Sequence, residues 1–161
     1  DAEDIVAAAG QANPETFRRW YVARTGWLFG KGRPTFVEYF LEKLQKSEEI
    51  AVIKDQWRSP TWTRHFAEGL AGLLDGRSPS GIYHLVNRVN PGEATTMDVI
   101  DEIKKFLGPR CANPPLKMVS RAELFKVTRA PSNVLLNTKL PQLPYWREAL
   151  SQYLALERPI V

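Results

Sequence analysis

From Arg19 onward, short apolar runs of strand length alternate with amphipathic stretches of helix length. This alternation limits the fold more than any other feature of the chain. "RWYVAR" (19–24), "IAVI" (50–53) and "GIYHLVN" (81–87) have the length and β-branched or aromatic content of strands. The helix starts are marked by chemistry. Thr35 with Glu38, Thr95 with Asp98, and Ser120 with Glu123 each pair a hydroxyl with an acid three residues on, the capping-box spacing that answers free helix N–H groups. Behind them run apolar stripes of helical period: Phe36, Phe40 and Leu44 with Val37 and Leu41; Phe66, Leu70 and Leu73; Val99, Ile103 and Phe106 or Leu107. A last helix from about Tyr145 to Glu157 carries Trp146, Leu150 and Tyr153 or Leu154. A first helix over 2–12 stops at Asn13-Pro14. "PPLKMVS" reads as a short extended piece and "TRAPSNVLLNTKL" as mostly irregular. Helices interleaved with short strands predict an α/β fold with parallel pairing.

The 161 residues suffice for one domain, and 43% hydrophobic content predicts a packed core rather than a disordered chain. The net charge of +4 is modest and its Lys and Arg are scattered, so no nucleic-acid stripe is indicated, although a pI near 9.3 keeps that reading open. No apolar run approaches a membrane span. The single Cys111 excludes an internal disulfide, and with His65 and His84 alone beside it the soft ligands for a zinc site are lacking. A reducing cytoplasm is the expected compartment. "DAEDIVAAAGQANP" opens in a helix pattern with neither Met nor a basic flank, which reads as a helix entered partway along a longer chain.

Several motifs suggest chemistry and fail on spacing. "ARTGWLFGKGR" (23–33) has the strand, glycine, lysine, helix order of a phosphate cradle. Only Trp27, Leu28 and Phe29 separate Gly26 from Gly30, however, and Gly32 follows the lysine where a hydroxyl is needed, so it is not a P-loop. Its glycines are expected to turn the chain away from the sheet, and Lys31 to be a solvated charge. "GLAGLLDG" (69–76) lies inside or at the end of a helix pattern instead of opening one, so Gly69, Gly72 and Gly76 are expected to serve close packing and a helix stop. Tyr39 and Lys43 match Tyr-x-x-x-Lys on one helix face, a spacing that composition alone produces readily. His65 and His84 lack Ser or Cys partners and read as structural, while Glu48-Glu49 and Asp101-Glu102 are expected to face solvent. No complete catalytic centre is legible. The loops "DQWRSPTW" and "TRAPSN" offer something different: arginines whose planar forks match phosphate oxygens, beside tryptophan walls.

Taken in order, "RTGWLFGKGRPTFVEYFLEKLQK", "IAVIKDQWRSPTWTRHFAEGLAGLL", "GIYHLVN", "RAPSNVLLNTKL" and "WREALSQYL" resemble the C-terminal half of the dTDP-4-dehydrorhamnose reductase family of extended short-chain dehydrogenase/reductases. The resemblance runs from about Glu3 to Leu154. It implies a Rossmann-like α/β fold in which 1–12 end the catalytic helix, 20–25 and 82–86 are strands of the main sheet, and 33–75 and 88–161 build the substrate-binding parts. The dinucleotide loop and the catalytic Tyr and Lys would precede Asp1, leaving no catalytic residue in this chain and making Tyr39 and Lys43 a decoy. It further implies NADPH or NADH as cofactor and a dTDP-sugar as substrate, with no metal, membrane or nucleic-acid partner, and it leaves a homodimer open. Trp27 would wall the deoxysugar, Thr25 and Gly26 would lie near the nicotinamide, Gln56, Arg58 and Ser59 would lie over the nucleotide-sugar, and Arg129 near its diphosphate. Three departures stand out: Arg58 where the family often has glycine, His65 where an acid is common, and Arg129-Ala130-Pro131 where an Arg-Pro pair is usual. Two other readings remain: a non-catalytic regulatory member of the same fold, and a basic nucleic-acid-binding module.

Overall fold

The computed structural model describes residues 1–158 apart from Phe17, Arg77 and Arg129. Four two-stranded parallel pairs form its β structure. β1 (Tyr21–Arg24) pairs with β5 (Gly81–His84), β2 (Leu28–Phe29) with β4 (Thr61–Trp62), β3 (Ile50–Ile53) with β7 (Leu116–Val119), and β6 (Asn87–Arg88) with β8 (Leu143–Tyr145). Among the described residues six α-helices accompany them, α1 (Ala2–Ala12), α2 (Phe36–Lys46), α3 (Thr63–Leu74), α4 (Thr96–Leu107), α5 (Arg121–Leu124) and α6 (Trp146–Glu157), with a short 3-10 turn at Gly108–Arg110. All of the named strands pair in parallel, which bears out the expectation drawn from the alternation of elements; an isolated bridge between Trp57 and Thr95 is antiparallel.

All three capping boxes form. At α2 the Glu38 carboxylate accepts from the Thr35 N–H at 2.7 Å, and at α4 Asp98 accepts from the Thr95 N–H at 2.9 Å. The third, at Ser120, opens only the four-residue α5. The stripes of α2, α4 and α6 converge on one core that includes Phe40, Leu44, Ile100, Ile103, Trp146 and Tyr153, with Val52 of β3 among them. The α3 stripe is narrower than expected. Leu73 is buried, but Phe66 and Leu70 are only half-buried, and the inward side chain at the start of the helix is His65. The reason is local: α3 starts directly from β4 with no side-chain cap, and the strand's geometry turns His65 under Trp62 in an edge-to-face contact at 4.9 Å.

Other expectations are corrected. The 81–87 run breaks after His84, and Asn87 joins a separate pair with β8. The glycines of "GWLFGKG" serve close approach more than turning. A Cβ on Gly26 would fall 2.5 Å from the Ser59 carbonyl oxygen, and one on Gly30 would meet the Thr63 hydroxyl, because β2 lies directly against β4; Gly32 alone of the three has a left-handed φ. On α3, Gly69 packs near Leu85, but Gly72 faces open space and serves no packing; just past the end of the helix Gly76 takes the left-handed φ of a helix stop. Glu102 does not simply face solvent: its carboxylate is mostly buried against Arg147 and Lys105.

Candidate functional site

A cavity of about 400 Å³ opens where three separate segments meet. Thr25, Gly26 and Trp27 come from the turn after β1, and Gln56, Arg58 and Ser59 from the loop after β3. Asn133 and Leu135 come from an extended strap between α5 and β8. Both of the first two segments leave the carboxyl ends of parallel strands, where open α/β folds place ligands. The six residues singled out from the sequence in the first two segments are thus brought together. Arg129 lies outside the described residues. Asn133 and Leu135 were missed.

The loop is positioned by backbone bonds on both sides. Trp57 donates its N–H to the Pro131 carbonyl at 2.9 Å and accepts from the Asn133 N–H at 3.0 Å, while the Arg58 N–H donates to the Ala94 carbonyl at 3.2 Å. Ser59 is fully buried, and its Oγ accepts from the Leu135 N–H at 2.9 Å, pinning the strap to the loop. Ala94 is buried with φ +64, a left-handed conformation that costs a non-glycine residue about 1–2 kcal/mol. That strain is held in place at the carbonyl supporting Arg58.

Trp27 is the aromatic centre of the cavity. Phe36 stacks against its ring with centroids 3.6 Å apart and 21° between planes, and the Arg58 guanidinium lies over the ring with its carbon 4.4 Å from the centroid. Two groups so close to one ring cannot share a side, so the indole is sandwiched, with Phe36 on one face and Arg58 on the other. Arg58 also donates through Nη2 to the Gln56 Oε1, and Gln56 is itself buried. Among the described residues no carboxylate lines this cavity, so its fixed charge is positive. The Thr25 hydroxyl at its inner edge is buried without a hydrogen-bond partner among the described residues.

Behind the cavity the polar groups are answered internally. Asn87 is fully buried. Its Oδ1 accepts from the Trp62 N–H at 2.9 Å, its Nδ2 donates to the Pro144 carbonyl at 2.8 Å and lies 2.9 Å from His65 Nδ1, and its N–H donates to the Thr61 Oγ1 at 3.3 Å. His65 is therefore part of a structural hub. His84 Nδ1 lies 2.9 Å from the Leu136 carbonyl, and Tyr39 and Lys43 are on α2 outside the cavity, with Lys43 donating to the Glu49 carbonyl at 3.1 Å. Lys31 is exposed, with Glu157 at 3.6 Å.

Glu38 and Tyr153, outside the cavity lining, both depart from their ordinary values. Burial raises the Glu38 carboxyl, but hydrogen bonds from Thr35 and Tyr153 outweigh it and hold the group below the usual carboxylate range. Its partner Tyr153 is pushed up to about 12, first by burial and then by the bond it gives to Glu38. No group of three or more His, Cys, Asp and Glu side chains among the described residues could hold a metal ion. No described helix is long and apolar enough to cross a membrane.

Comparison with known proteins places this architecture. The RmlD substrate binding domain family model matches residues 6–158. A dTDP-4-dehydrorhamnose reductase from Streptomyces griseus is 33% identical over 143 residues, covering 82% of this chain and 45% of that protein. Among solved structures, a dTDP-4-dehydrorhamnose reductase ortholog from Clostridium acetobutylicum superposes with a TM-score of 0.73 at 24% identity, over 93% of this chain and 53% of the other. A dTDP-4-dehydrorhamnose reductase from Bacillus anthracis, solved with NADP, gives 0.68 at 24% identity over 92% and 54%. At that identity the structures show a shared fold. The chain spans about half the length of the curated relatives it matches.

Proposed function

The chain belongs to the RmlD substrate binding domain family, and from that premise we propose that it forms the substrate-binding half of an NAD(P)H-dependent reductase acting on the 4-keto group of a dTDP-6-deoxy sugar. One observation carries the reading: Thr25, Gly26 and Trp27 and, far away in sequence, Gln56, Arg58 and Ser59 line a single cavity with no acid among its described lining residues. A nucleotide-sugar brings a diphosphate, which an arginine fork meets with charge-assisted hydrogen bonds, and a sugar ring, which suits an aromatic wall. Arg58 supplies the fork and Gln56 orients it. Trp27 lies beneath, and the amide of Asn133 and the hydrophobic Leu135 close the side.

The fit to a dinucleotide is partial. Thr25 and Gly26 sit at the carboxyl end of β1 and suit the edge of a nicotinamide, but among the described residues no glycine-rich turn joins a strand to a helix N-terminus to hold its phosphates. When bound, the cofactor supplies the hydride. This chain's residues bind the sugar nucleotide, orient its keto carbon and shield it from water, while a tyrosine and a lysine on the other half of the reductase handle the proton. The cytoplasm is the compartment we assign, and a homodimer is compatible with the exposed surface.

Calorimetry and an NADPH assay on the 161-residue chain test the proposal. The chain binds dTDP and does not oxidise NADPH with a dTDP-4-keto-6-deoxy sugar, whereas joined to a dinucleotide-binding half it does both. NADPH oxidation by the chain alone overturns the assignment, as does failure to bind dTDP.

A further inference from the structure

Two extended segments stand between the cavity already described and a second one. Trp57 of the loop forms a parallel bridge with Ser132 of the strap, closed by the backbone bonds to Pro131 and Asn133. Along both segments the side chains alternate between the two sides of this thin wall, as extended backbone requires. Gln56 and Arg58 of the loop, with Asn133 and Leu135 of the strap, line the first cavity. Trp57, with Ser132, Val134 and Leu136, lines the second, a space of about 380 Å³ that Val89 and Asn90 help to close. Its described lining residues include no charged side chain, so an ionic group gains nothing there.

The second cavity nevertheless has a surface and donors to offer. The rings of Trp27, Trp62 and Trp146 each lie under a guanidinium. Among the described residues neither a cation nor another ring covers Trp57, and its half-buried indole stands outside the main core. Asn90 Oδ1 accepts from Arg88 Nη1 at 3.2 Å, which orients the amide and leaves Nδ2 as a donor. The Ser132 Oγ accepts from the Val134 N–H at 3.4 Å, which leaves its own O–H to donate. An uncharged space with an indole wall and two donors matches a flat, neutral ring that bears carbonyl oxygens.

Resting on the nucleotide-sugar reading, we propose that the second cavity seats the pyrimidine base of the nucleotide, while the diphosphate and sugar occupy the first. The base stacks on Trp57, its carbonyl oxygens accept from Asn90 and Ser132, and Val89, Val134 and Leu136 receive its apolar edge. Trp57 and Arg58 are consecutive, about 3.8 Å apart at Cα, so the linkage from base to phosphate passes over the edge of the wall within the length of one nucleotide. The strap then holds both ends of one ligand, each on its own face. The seat also discriminates between bases. A carbonyl at ring position 4 meets a donor, whereas the amino group of cytosine sets donor against donor.

The test titrates the unaltered 161-residue chain, Trp57→Ala, Trp57→Phe and Asn90→Asp with dTDP, dUDP, dCDP and inorganic pyrophosphate, read by calorimetry. Circular dichroism verifies folding. Trp57→Ala weakens dTDP about tenfold by removing the stacking surface. Trp57→Phe keeps a ring and falls between. Pyrophosphate, which has no base, binds all four proteins alike. The unaltered chain takes one dTDP and prefers dUDP to dCDP about fivefold. Asn90→Asp keeps an acceptor for Arg88 but removes the amide donor, so it reverses that preference. A dTDP affinity unmoved by Trp57→Ala overturns the base seat while leaving the nucleotide-sugar reading intact. Equal weakening of dTDP and pyrophosphate by Trp57→Ala overturns it too, since the loop as a whole would then be disturbed. Two molecules of dTDP per chain overturn the placing of one ligand across both cavities. An unaltered chain that binds neither dTDP nor pyrophosphate overturns the nucleotide-sugar reading and the base seat together.

Discussion

Two polar clusters lie back to back in this molecule, and they are built on opposite terms. In the hub around Asn87, the side-chain amide is answered inside the protein by Trp62, His65 and Pro144, and no part of it reaches solvent. In the cavity beside it, the contacts of Arg58 include an aromatic ring and an amide oxygen, no acid is among the described lining residues, and the Thr25 hydroxyl has no partner among the described residues. Ser59 and Thr61, two residues apart, join the two: Thr61 donates to the Ser59 carbonyl and accepts from Asn87. The contrast teaches how to read polar residues in an α/β loop. A network satisfied internally specifies the fold, and polar groups satisfied loosely at a cavity are where a ligand's chemistry is awaited.

Asn87→Ala breaks the first cluster and has the largest expected effect. It leaves the Trp62 N–H and the Pro144 carbonyl unanswered in the interior, costing about 3 kcal/mol of stability, read as a lower urea midpoint. A loss within experimental error would mean that the hub is not structural. Gly26→Ala sharpens the boundary between the clusters. Its methyl group meets the Ser59 backbone at 2.5 Å, so the β1 turn and the Gln56 loop must separate at a cost of about 2 kcal/mol. Cavity binding should fall with it, and a stable variant with intact dTDP affinity would refute the close approach.

A smaller effect comes from pH and touches a third, closed cluster. Glu38 has a folded pKa below its ordinary value of 4.5, so its stabilisation is fully present above that value and is lost as pH falls through the lowered one. Acid unfolding monitored by fluorescence should therefore be less steep in Glu38→Gln, while dTDP affinity near neutrality stays unchanged. Equal acid profiles for the two proteins would remove Glu38 from the account.

The α/β class and the α2, α4 and α6 stripes were legible because periodicity and capping chemistry are local, carried by residues such as Phe40, Ile103 and Leu150. Thr25, Gly26, Trp27, Gln56, Arg58 and Ser59 were legible as a group through the resemblance, and they line one cavity. Their roles are what the proposed experiments decide. Asn133 and Leu135 were not legible, because the strap is held by backbone bonds to Trp57 and by the Ser59 hydroxyl, which no side-chain pattern announces. For the same reason the two-residue strands at Leu28 and Thr61 were hidden: their signal is the absence of a side chain at Gly26 and Gly30, easily taken for turn chemistry. His65 looked isolated in sequence, and its partner Asn87 lies 22 residues away.

The most direct measurement follows the indole N–H resonances of the ¹⁵N-labelled chain during titration with dTDP. The account predicts that the Trp27 resonance shifts with saturation while those of the buried Trp62 and Trp146 stay in place. Binding of dTDP that leaves Trp27 unmoved would contradict the claim that this cavity is the nucleotide-sugar site.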